Sequence, residues 1–169
     1  MNEIVENSAA SASNPQALEL EKIFKIFLIL YLVAVPLCCI LIGIIPLIIA
    51  IVYWCKLIYR LWDLLPESSR SGHSPGEMVG YNFIPFFNFY WQFKSIHGLG
   101  KALNEELDSR DIQLRRVNPD MTLAYCILGC ICVIPYLGLL AALGFIPLMI
   151  ITLNQMKSAG IALLNDTTD

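Results

Sequence analysis

The sequence predicts an all-α integral membrane protein. Two helical hairpins, four membrane helices in all, are joined by a cytoplasmic segment that carries an amphipathic helix. Three observations point there. The chain is 57% hydrophobic and 15% charged, against roughly 25% charged for a soluble domain. Two runs, Ile26 to Cys55 and Met121 to Met156, contain no Asp, Glu, Lys or Arg. A span takes about 20 apolar residues, so each run is too long for one helix and, with its flanks, enough for two. Finally, turn residues interrupt each run: Pro36, Gly43 and Pro46 in the first, Pro135, Gly138, Gly144 and Pro147 in the second.

Taken in order, residues 1–16 are expected to be a disordered acidic tail, because four Glu and no basic residue precede Lys22. That charge pattern also lacks the positive start of a signal peptide. The first membrane hairpin follows over 17–65, with helices near 22–41 and 45–65. Proline is tolerated at a helix start, so Pro46 and Pro147 are read as opening the second helix of each pair. A polar loop and lead-in rich in Ser and Gly covers 66–84. An interfacial amphipathic helix and linker are assigned to 85–118, starting at Pro85. Asn118-Pro119-Asp120 supplies a cap signal for the second hairpin, 119–165, with helices near 121–141 and 145–164. A short tail, 166–169, closes the chain.

The segment Phe-Ile-Pro-Phe-Phe-Asn-Phe-Tyr-Trp-Gln-Phe-Lys-Ser (83–95) has seven aromatic residues in thirteen. Phe86, Phe89, Phe93, Ile96, Gly100, Leu103 and Leu107 follow helical spacing, and Asn88, Gln92, Ser95, Lys101, Glu105 and Asp108 fall largely opposite. Tyr90 and Trp91 lie at the flanks of the stripe, where a membrane surface favours amphipathic rings. The stripe either packs on the cytoplasmic ends of the hairpins or inserts into lipid alone. The few basic residues beside it, Lys94 and Lys101, favour packing.

Gly43, Pro46 and Lys56 recur as Gly144, Pro147 and Lys157 at an offset of 101, which suggests a duplicated hairpin in parallel orientation. The segment 83–95 also resembles 145–158 with one residue skipped. Every Lys and Arg lies in the N-terminal flank, between Lys56 and Arg116, or at Lys157. The positive-inside rule then puts the N-terminus, the central segment and the C-terminus in the cytoplasm, with the chain in the cytoplasmic (inner) membrane. Lys56 and Lys157 each lie ten residues past a proline, about 15 Å along a helix. With Arg60, they are candidate intramembrane polar positions. Snorkelling, shallow wedge-like hairpins and a functional polar site are all open readings.

Catalytic chemistry finds little purchase. His73 and His97 are isolated, Ser74 lacks a nearby base, and no phosphate-cradling loop occurs. All six cysteines lie in the apolar runs, where free Cys behaves as a small buried hydrophobe. Arg110, Arg115 and Arg116 lie among acids, and a net charge of −3 gives no support for nucleic acid as a partner. No catalytic residue, metal ligand or cofactor is assigned.

Residues 74–107 resemble a group of uncharacterised bacterial multi-pass membrane proteins. That group carries a Ser/Thr-Pro-Gly-x-x-Val-Gly segment, then Phe-Ile-Pro-Phe-Phe-Asn-x-Tyr-Trp, then a Gly and an Asn. Some of its members also carry a GYF-like soluble domain. Matching positions here are Pro75, Gly76, Val79, Gly80, Pro85, Asn88, Tyr90, Trp91, Gly100 and Asn104; Lys94 joins them as a candidate interfacial residue. The resemblance implies residence in a bacterial membrane and no established activity. The expected function is non-enzymatic: assembly with itself or with a membrane partner, with pore formation as one outcome. Membrane shaping and small-solute transport are the alternatives.

Overall fold

The computed structural model describes residues 15–37, 44–112, 116–134 and 137–166. Residues 1–14 of the acidic tail, most of the first hairpin turn, Cys38, Cys39, Arg115, Pro135 and the last three residues lie outside that set. Among the described residues all regular structure is helical. The main helices are α1 (Pro15–Leu37), α2 (Ile44–Asp63), α3 (Pro75–Gly80), α4 (Phe87–Gln92), α5 (Gly98–Ser109), α6 (Pro119–Ile131) and α7 (Leu137–Asp166). Short 3-10 turns cover Glu67–Arg70 and Tyr81–Phe83, and a π-helical turn, Phe93–His97, joins α4 to α5.

Helix boundaries depart from the expected ones for identifiable reasons. Helix α1 starts at Pro15, inside the expected tail, because a proline at the first position and the following Gln-Ala-Leu-Glu-Leu-Glu are all compatible with helix. Ala17 and Leu20 are buried there. In the second hairpin the chain turns through Cys132–Ile134, not at Gly144. Ile134 precedes a proline, and a residue in that position disfavours helix. Pro147 consequently lies inside α7, ten residues from its start, whereas Pro46 sits in the first turn of α2. The loop assigned to 66–84 contains α3 and two 3-10 turns.

Two described helices, where four were expected, are long and apolar enough to cross a membrane: Ile45–Asp63 and Ala141–Asp166. Helix α1 carries Glu19, Glu21, Lys22 and Lys25 in its first half, and α6 stops after 13 residues, about 20 Å.

One core joins all the main helices. In α2 the buried face is Leu57, Ile58, Leu61 and Trp62, a helical stripe. A fully buried Leu or Ile stabilises by about 1.5–3 kcal/mol. Helices α1, α2 and α7 meet at Gly160, where an added Cβ would lie 2.6 Å from Leu61 Cδ2 and 3.3 Å from Leu20 Cδ2. This junction fixes relative heights. Lys25 and Lys56 are each five residues from it and Lys157 is three, so the three lysines share one level to within about 3 Å at 1.5 Å per residue. From that level, α7 runs without charge from Met156 back to Leu137, 20 residues or about 30 Å.

Because Leu61 is fully buried at the junction, Gly160→Ala is expected to cost about 1–3 kcal/mol through overpacking. The check is the melting temperature in detergent. An unchanged value would mean that Leu61 swings aside freely.

Candidate functional site

The central segment forms a second kind of hairpin, inserted among the helices from their charged end. Its descending arm is α3 with the Tyr81–Phe83 turn; its ascending arm runs from Phe87 through the π turn to Ser109. The ascending arm lies antiparallel to α6. Gln92 Nε2 donates to Cys126 O (3.3 Å), His97 Nδ1 lies 2.8 Å from Thr122 Oγ1, and Asn104 pairs with Val117. Gly100 sits between, where an added Cβ would be 3.1 Å from both Thr122 Cγ2 and Val117 Cγ1.

At the tip, Phe87 N–H donates to Pro85 O at 2.8 Å, and Phe86 between them has φ 65° and ψ −40°. That is the classic γ-turn, which is rare and strained in a non-glycine residue. Helix therefore begins at Phe87, not Pro85. The tip is apolar and exposed: Phe86 is 86% accessible, with Phe83, Ile84, Phe87 and Tyr90 also open. Measured along α2, the tip's neighbour Ile51 is five residues, about 8 Å, beyond Lys56. Measured along its own helix, Phe87 is thirteen residues, about 20 Å, from Gly100.

The expected apolar stripe holds only in its second half. Ile96, Gly100, Leu103 and Leu107 are buried, but Phe86 is exposed, Phe89 and Phe93 are half-buried, and Trp91 and Ser95 take the inward face. The π turn causes this. One extra residue per turn rotates everything before it relative to everything after, so a single 3.6-residue period cannot hold across residues 93–97. The segment is fastened to α2 at this point: Trp62 Nε1–H donates to Ser95 O at 3.1 Å.

Several matched motif residues turn out to be fastenings. Pro75 is the first residue of α3, behind a capping box in which Ser74 Oγ accepts from Glu77 N and Glu77 Oε2 accepts from Ser74 N. These backbone and side-chain hydrogen bonds from Ser74 hold the Glu77 carboxyl below its usual range. The Ser-x-x-Glu spacing was the available signal for this helix. Trp91 is buried and its Nε1–H donates to Met78 O (3.0 Å); Lys94 lies 5.3 Å from its ring centre. Asn104 binds both backbone groups of Val117, donating to its O at 2.7 Å and accepting from its N at 2.8 Å. Gly76 is exposed and has room for a side chain; nothing in the structure explains it. Pro85 and Tyr90 belong to the exposed tip.

Of the deep basic residues, Lys56 and Arg60 share Glu19 of α1, at 3.7 and 3.1 Å. The Lys56 side chain thus reaches toward the charged end, as a snorkelling lysine does. Lys157 lies 4.6 Å from the Phe24 ring centre. Glu19 was not anticipated as the partner, because it precedes the uncharged run by a full two turns.

Between hairpin and bundle lies a cavity of about 220 Å³, lined among others by Ile51, Trp54, Asn82, Asn88, Gln92 and Tyr125. Among the described residues no charged side chain lines it. The Asn88 carboxamide oxygen is buried without a hydrogen-bond partner among the described residues.

Two predictions follow from these fastenings. Asn104→Ala orphans both backbone groups of Val117 and should cost about 2–6 kcal/mol, taking about 1–3 kcal/mol for each lost partner; Gly76→Ala should be neutral or stabilising by up to about 1 kcal/mol. Thermal melts of the two variants would separate them, and equal losses would contradict the assignment. The second concerns His97, whose pKa is lowered by burial first and by the charge of Lys101 second. Thr122 Oγ1 already donates to Pro119 O at 2.8 Å, so neutral His97 donates through Nδ1. The unfolded chain takes the proton first as pH falls through about 6.5. Stability is therefore full above that value and is lost on acidification until the folded pKa is passed. His97→Asn keeps a donor in place, and should show a smaller drop in melting temperature from pH 7.5 to 5.5 than the parent chain.

No protein family, curated protein or solved structure matches this chain.

Proposed function

We propose that the chain is a multi-pass protein of a bacterial inner membrane that works by assembly, with itself or with a membrane partner, and not by catalysis. In this reading α1, α2, α6 and α7 all lie within the bilayer, and the cytoplasm is on the side of the lysine level. The segment 74–107 is its working element, as the motif resemblance suggests. The observation that carries the proposal is the match between charge and length. About 30 Å of uncharged α7 lies beyond the common level of Lys25, Lys56 and Lys157, which equals the thickness of a hydrocarbon core. Exposed apolar side chains on that side, such as Ile45 at 69% and Leu143 at 75%, have lipid or a neighbouring subunit as their natural cover.

The inserted hairpin supports membrane shaping as a second reading. Its tip lies about 8–20 Å past the lysine level, so it adds bulk chiefly to the leaflet on that side, each leaflet being about 15 Å of the core.

Depth is directly measurable. Single cysteines replacing Phe86 and Lys101, in a cysteine-free chain reconstituted in liposomes, would carry an environment-sensitive fluorophore. Lipids bearing a nitroxide at mid-chain should quench the label at 86 more strongly than that at 101, and aqueous iodide should do the reverse. Iodide quenching at 86 as strong as at 101 would rule out insertion. Native mass spectrometry from the same membranes would then report a dimer or larger complex if assembly is the mode of action.

A further inference from the structure

We infer that the cavity between the hairpin and the bundle is a binding site for a small uncharged molecule that offers both a hydrogen-bond donor and an acceptor beside an apolar body. Its location inside the bilayer rests on the membrane reading above; its chemistry does not. Three features of the lining set the class. The polar groups are the carboxamides of Asn82, Asn88 and Gln92 and the phenol of Tyr125, while Ile51 and Trp54 supply apolar wall. With no charged group among the lining residues, an ion would be desolvated without compensation, so the ligand is neutral. The volume, about 220 Å³, equals roughly seven water molecules at about 30 Å³ each, which suits a compact molecule.

The carboxamides are not equally engaged. Asn82 Nδ2 donates to Met78 O and Ser95 Oγ, and its Oδ1 accepts from Ser95. Gln92 Nε2 is committed to Cys126 O and Cys130 Sγ. These two hold the walls in place. Asn88 differs, because its buried oxygen has no partner among the described residues. A buried polar atom left unpaired is destabilising unless something else pairs with it. Half a turn about its terminal torsion exchanges acceptor and donor ends, so Asn88 can meet either face of an alcohol or amide. It follows directly on the strained turn at Phe86, and strain of that kind gathers at ligand sites. Asn88 is therefore the reading residue, with Tyr125 opposite.

The test uses benzamide as probe and the full chain in lipid nanodiscs, observed by saturation-transfer NMR. Toluene and benzoate serve as apolar and charged comparators. Benzamide should receive saturation from the parent chain well above toluene and benzoate. Asn88→Leu, which keeps the branched skeleton and removes both polar atoms, should bring benzamide to the level seen with empty nanodiscs. The same substitution should raise the melting temperature of the ligand-free chain by a few degrees, since it removes an unpaired polar atom; a structural role for Asn88 would lower it instead. Tyr125→Phe should weaken the benzamide signal several-fold with the melting temperature nearly unchanged. The proposal is overturned if benzamide transfer is no greater than that of toluene, if it persists in both variants, or if Asn88→Leu melts earlier than the parent. Each result is independent of the depth measurement, so the membrane reading and the binding site can fail separately.

Discussion

The structure depends on one constraint: backbone carbonyls exposed by irregular segments in a mostly apolar bundle must find donors other than water. Three long-range side-chain donors meet it, and a fourth bonds a carbonyl within α6. Trp91 serves Met78 O, Trp62 serves Ser95 O, Gln92 serves Cys126 O and Asn104 serves Val117 O. The central hairpin can therefore bend, tighten to 3-10 and widen to π inside the bundle. In a bilayer, non-helical backbone is tolerated only where protein or a wet cavity supplies such partners.

That constraint also explains the aromatic segment. Trp91 and Phe86 divide by whether a polar atom is needed. Trp91, with a donor, is turned inward against Met78, and is packed by Phe87 at 5.4 Å and Tyr81 at 4.7 Å between ring centroids. Phe86, with nothing to donate, is turned out at the tip. A purely hydrophobic ordering would have buried Phe86 first. The outward Phe is compatible with stability if its surroundings are apolar, which links the strained turn to the membrane reading.

How much of this was legible in the sequence follows from whether the signal was local. The Asn118 cap, with its oxygen accepting from Asp120 N and Met121 N, was readable because a cap lies within three residues. The choice between Pro135 and Pro147 as the second turn was not, since both residues are equally capable of breaking a helix and only packing at Gly160 sets the height of α7. Once that height is known, Lys157 is twenty residues from the start of its helix. The site was legible as a motif but not as roles: Asn104, Trp91 and Pro75 are fastenings, and Asn88 has a buried oxygen with no partner among the described residues.

The repeat shows why position in sequence and position in space part company. Pro46 and Pro147 each precede a lysine by ten residues, and the two lysines share one level, so the prolines share one as well. Yet Pro46 opens α2, where the missing N–H costs nothing, and Pro147 sits within α7, where it removes a hydrogen bond to the carbonyl of Leu143. Leu143 is 75% exposed, so this loss falls at an outward-facing point of the helix and not in the core. Height is thus the shared property of the two copies and helix phase is not. A duplicated hairpin whose second copy gained a longer second arm would have that form, with the lysine level held by the bundle junction while the turn moved away from it.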